Sequence, residues 1–158
     1  MLKLSCLSEK YHTASITKKA GSCGNCTPLH FAALNPNKNV LKVLLEQNND
    51  FNVMTTGNLK PIHFAAKCEK SGPLELLIDK GASIYDQTTE KKNALHFAAM
   101  AGRADNIKVL LAIGGPTLLK VRDKTNMSSM AYACKLGEIE PIKVFLEHSS
   151  GKVKISQG

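Results

Sequence analysis

Short apolar stretches alternate with polar ones along this chain at a fixed interval. Thr27-Pro28-Leu29-His30-Phe31-Ala32-Ala33 returns 33 residues later as Lys60-Pro61-Ile62-His63-Phe64-Ala65-Ala66, and again after 33 as Asn93-Ala94-Leu95-His96-Phe97-Ala98-Ala99. A weaker copy, Ser128-Ser129-Met130-Ala131-Tyr132-Ala133-Cys134, follows after 35 residues. Behind each lies a second apolar patch, at Val40 to Leu45, Leu74 to Ile78, Ile107 to Leu111 and Ile142 to Leu146. The apolar positions recur at helical spacing, so each copy predicts two short helices. One copy has too few of them to enclose a core, and stacking of neighbours must complete the interior.

Boundary signals agree with this division. Thr27, Asn93 and Ser128 are good N-cap residues, and Pro28 and Pro61 fall at the first helical position, where a missing N–H costs little. Lys60 is the exception, a poor cap by side-chain type. Pro73 and Pro141 mark the starts of second helices, and Gly102 and Gly137 mark the bends between helices.

With the Thr-Pro-Leu-His-x-Ala motif and its period in view, the chain resembles the ankyrin repeat family over about Cys23 to Ser150. The resemblance implies an all-α solenoid of stacked helix-turn-helix units, with β-hairpin-like fingers projecting to one side and a concave groove. The repeats fall at about 23–55, 56–88, 89–123 and 124–150, the last degenerate. Residues 1–22 read as an N-terminal arm or an irregular cap, and 151–158 as a tail that resembles the start of a further finger. Two positions before each cap, where family members usually carry glycine, stand Asn25, Asn58, Lys91 and Asn126. Lysine suits a left-handed backbone poorly, so the third finger is expected to be distorted. The two extra residues between Gly114 and Asn126, with Gly115-Pro116 among them, predict a bulged loop.

Composition then narrows the function classes. The 158 residues are 43% hydrophobic and 22% charged, which suits a folded domain, and no apolar run approaches the length of a bilayer span. Five scattered cysteines do not form a secreted disulfide framework, and the amino end lacks a continuous apolar leader, which points to a reducing, cytoplasmic or nuclear setting. A net charge of +8 favours acidic partners in general. Nucleic acid rests on that charge alone and is disfavoured by the scarcity of aromatic rings for base stacking.

Candidate chemistry is sparse. One histidine per repeat (His30, His63, His96) cannot converge on a metal, because successive units sit a helix-packing distance of roughly 8–10 Å apart. The resemblance implies that these imidazoles tie finger backbone to neighbouring units. Cys23-Gly24-Asn25-Cys26 is a lone C-x-x-C and reads as two exposed thiols on the first finger. The ladder Phe31, Phe64, Phe97, Tyr132 reads as packing between units. Phosphate-loop, metalloprotease and nucleophile-elbow motifs are absent from the sequence, and no enzymatic activity, metal or cofactor is expected.

What remains is binding. The resemblance places a partner against the positions after each double alanine and at the fingers: Leu34, Asn35, Leu59, Lys67, Cys68, Lys92, Met100, Lys124, Met127, Lys135 and Leu136. Apolar side chains mixed with lysines fit an acidic or amphipathic protein segment with apolar anchors. The leading expectation is a non-catalytic protein-interaction module. The alternative is a scaffold or regulatory segment of a larger multidomain enzyme or channel.

Overall fold

The computed structural model describes residues 24–47 and 50–150. The expected arm (1–22), the tail (151–158) and Cys23 lie outside the described residues. Among the described residues eight helices follow one another as four pairs: α1 (Pro28–Leu34) with α2 (Lys38–Gln47), α3 (Pro61–Lys67) with α4 (Gly72–Asp79), α5 (Ala94–Met100) with α6 (Ala104–Leu119), and α7 (Ser129–Leu136) with α8 (Ile139–Ser149). Among the described residues the only sheet-like pairing is a single bridge between Arg122 and Ser128. The architecture is an all-α repeat solenoid.

The first helices pack in one row, α1 on α3, α3 on α5 and α5 on α7. Alanine makes this close approach possible: Ala32, Ala33, Ala65, Ala66, Ala98 and Ala99 are all buried, with no side chain beyond Cβ to hold the backbones apart. Leu41, Leu45, Leu74, Leu77, Ile107, Leu110 and Phe145 from the second helices close the interior as one continuous cluster. At roughly 25 cal/mol per Å² of apolar surface, this shared burial is the main stabilising term, and no single pair of helices could provide it.

Two local expectations are corrected. Lys91 adopts the left-handed conformation (φ 60°) just as Asn25, Asn58 and Asn126 do (φ 65°, 58° and 64°), so the third finger is not distorted. Its geometry is over-determined: Thr88 N–H donates to the Lys92 carbonyl, Lys91 N–H donates to the Thr88 carbonyl, and the Thr88 hydroxyl accepts from the backbone of Glu90 and Lys92. The two extra residues after Gly114 do not form a bulged loop. A non-helical Gly115 (φ 52°, ψ −144°) kinks α6 there, and a second short helical stretch opened by Pro116 runs on to Leu119. Gly114 is buried against Leu118, where any Cβ would collide with that leucine.

Candidate functional site

The histidines explain how each unit is fixed to the next. His30, His63 and His96 stand at the third helical position, and each Nδ1 accepts the backbone N–H of its own cap residue, from Thr27 (3.0 Å), Lys60 (2.9 Å) and Asn93 (3.3 Å). An accepting Nδ1 leaves the proton on Nε2, which donates to a carbonyl of the following finger: Leu59 (3.0 Å), Asp86 (3.0 Å) and Met127 (3.2 Å). Each ring therefore does what glutamate does in a capping box, and it also crosses to the neighbouring unit. Lys60 needs no capping side chain for this reason; its ammonium pairs instead with Asp86 at 2.7 Å.

Burial lowers the pKa of all three imidazoles and outweighs the carbonyls that would raise it, so the rings are neutral. Against each ring packs the aromatic residue of the following unit, Phe64 on His30 (centroids 5.1 Å apart), Phe97 on His63 (5.4 Å) and Tyr132 on His96 (6.1 Å). The aromatic ladder is packing between units.

The fingers are joined to one another by single backbone hydrogen bonds: Thr56 N–H to the Gly24 carbonyl, Thr89 to Gly57, and Lys124 to Glu90. Inside each finger a buried polar side chain organises the turn. Thr55 accepts from Gly57 and Leu59, Thr88 from Glu90 and Lys92, and Asp123 from the backbone of Thr125 and Met127 and the hydroxyl of Thr125. Asp123 also accepts from the Tyr132 hydroxyl. Burial by itself raises the Asp123 pKa, but these hydrogen bonds prevail and hold the carboxyl far below the usual carboxylate range. Sequence reasoning missed this residue. The available signal was an acid at a position that holds threonine one and two repeats earlier.

The residues proposed to touch a partner divide into three groups. Leu34, Lys67, Met100 and Lys135 occupy equivalent positions at the ends of α1, α3, α5 and α7, and all four are exposed. Asn35, Leu136 and Lys124 are exposed as well, whereas Leu59, Lys92 and Met127 are half-buried. Cys68 is corrected: it is 1% exposed and presents no side chain to a partner. It is turned inward at the end of α3, where its carbonyl, with those of Ala65 and Ala66, accepts from the buried Asn106 amide of the next unit. Two of the lysines already have acidic neighbours, Lys92 at 4.0 Å from Asp123 and Lys124 at 3.9 Å from Glu90. Lys67 and Lys135 form no ion pair among the described residues.

Cys26 is a further correction. It is buried, not an exposed thiol, and its sulfur is disulfide-bonded. Cys68 and Cys134 are free.

A family profile of ankyrin repeats, three copies, matches residues 4–88 and 62–157. The chain belongs to the ankyrin repeat family. Among curated proteins, none matches the chain. Ankyrin repeats are in general protein-binding modules, and this ankyrin chain has, among its described residues, no helix long and apolar enough to cross a membrane.

Proposed function

We propose that this ankyrin chain is a non-catalytic module that binds an acidic protein segment carrying apolar anchors along the row Leu34, Lys67, Met100, Lys135. The observation that carries the reading is the composition of that row: two exposed apolar side chains alternate with two lysines that pair with no carboxylate among the described residues. Asn35 and Leu136 extend it at the helix ends, and Lys124, with half-buried Leu59, Lys92 and Met127, forms the finger side of the same groove. Apolar contacts supply affinity, and the lysines steer the approach and fix the register.

Charge distribution favours a protein partner over nucleic acid. The described residues carry 15 Lys and Arg against 12 Asp and Glu, so most of the net +8 lies outside them. A phosphate-tracking surface on the described helices would concentrate the excess there.

The test uses a synthetic helical peptide rich in Asp and Glu with leucine at every third or fourth position, titrated by fluorescence anisotropy. Substitution of Lys67→Glu, Met100→Ala and Lys135→Glu together is expected to weaken binding at least about tenfold, a loss of about 1.4 kcal/mol. The matched set Lys42→Glu, Ile113→Ala and Lys143→Glu, exposed on second helices, is expected to change it less than about twofold. Equal losses from the two sets reject the assignment.

A further inference from the structure

The stack has an apolar face at its carboxyl end that repeats, position for position, the three interfaces inside it. Leu29, Ile62 and Leu95 are buried where the fourth unit has half-exposed Met130. Ala33, Ala66 and Ala99 are buried where it has exposed Cys134, and Leu41, Leu74 and Ile107 are buried where it has half-exposed Ile142. Leu45 and Leu111 are 1% and 2% exposed, whereas Leu146, at the same register, is 50% exposed. Ile139, 66% exposed, extends the face at the start of α8.

Terminal units of a repeat stack normally carry polar residues on the outer face, because nothing covers them. Here the outer face keeps the apolar character of an inner one. The finger ladder points the same way, since its successive acceptors are the carbonyls of Gly24, Gly57 and Glu90, and the next in that register is Thr125. The family match also runs past α8 to residue 157. In that segment Ser156 follows Leu146 at the spacing by which Thr55 follows Leu45 and Thr88 follows Ile78, so a hydroxyl residue recurs in the sequence register.

From the continuity of these interfaces we infer that the α7–α8 face is a docking surface for a fifth ankyrin-type helix pair, seated as each unit is seated on the one before. Ala131 replaces the histidine of the other units, so this joint lacks the imidazole tie and depends on apolar burial by Met130, Ile142 and Leu146. The inference is independent of the groove assignment, which concerns a different surface.

The test extends the full chain directly after Gly158 with a second copy of residues 91–113, in which the positions of Ile107 and Leu111 are lysine so that the new outer face is polar. Urea unfolding is then compared with and without the extension. The expected result is one cooperative transition with its midpoint raised by about 1 M. Ile142→Glu with Leu146→Glu is expected to remove the rise while shifting the unextended chain by less than about 0.3 M, as for half-exposed positions generally. An unchanged midpoint, or a separate transition for the added unit, overturns the inference. So does sedimentation of the unextended chain as a dimer that the two glutamates dissociate, since a second copy would then be the occupant.

Discussion

At the three histidine joints a neutral imidazole links the start of one helix to the finger of the next unit. At the fourth finger an ionised carboxylate, Asp123, gathers backbone N–H groups and the Tyr132 hydroxyl. Both groups are buried and both are shifted downward, yet one is kept uncharged and the other charged. The difference shows what the fold requires at these places. It does not require a charge of either sign; it requires that every buried N–H and carbonyl of the turn meet a partner. Imidazole can accept on one side and donate on the other, which suits a bridge between two backbones. A carboxylate only accepts, which suits a turn that offers several donors.

Because the two kinds of joint carry different protons, acid separates them. The unfolded chain protonates its histidines near pH 6.5, whereas the folded rings resist protonation. Stability is therefore full above that pH and falls as pH drops through 6.5 toward the lowered folded values. With three rings the slope approaches about 4 kcal/mol per pH unit at most. Asp123, whose ordinary pKa is 3.8, contributes stability that is lost only as pH falls below that value. Urea midpoints measured from pH 7.5 to 3 should show two separate declines. A single decline centred near pH 4 would mean that the imidazoles are not protected.

Substitution sharpens the same contrast. His63→Ala strands the Lys60 N–H and the Asp86 carbonyl and leaves a cavity, with an expected loss of about 3 kcal/mol. It should also reduce the acid slope near pH 6 by a third. Asp123→Asn keeps an accepting oxygen but loses charge-assisted bonds, so the expected loss is smaller, about 2 kcal/mol, with the slope near pH 6 unchanged. Chemical denaturation checks both, and a larger loss from Asp123→Asn would reverse the ranking of the two joints. The smallest effect belongs to finger three. Lys91→Gly relieves the left-handed lysine and should stabilise by up to about 1 kcal/mol, whereas Asn58→Gly should gain only a few tenths.

The fold was legible because double alanines and flanking apolar residues repeat at a fixed period, and close helix packing demands small residues at those places. The role of the histidines was legible only through the family resemblance, since spacing alone excludes a shared metal but does not supply a hydrogen-bond partner. The third finger was misjudged because intrinsic backbone preference was weighed without the Thr88 hydroxyl and the finger's own backbone bonds, which decide the conformation. Cys68 was misplaced because the position after the first helix differs among units: Asn35 and Leu136 face solvent there, while Cys68 turns inward where its carbonyl meets the Asn106 amide. Such contacts join residues 38 positions apart and leave no mark in a local pattern.

The three histidines join successive units as neutral Nε2–H rings. Long-range nitrogen–proton NMR correlation of the imidazoles, followed through a pH titration, tests this most directly. The expected result is a protonated Nε2 and an accepting Nδ1 for His30, His63 and His96 at neutral pH, each titrating below 6.5. A protonated Nδ1, or titration at or above 6.5 in any of the three, would contradict it.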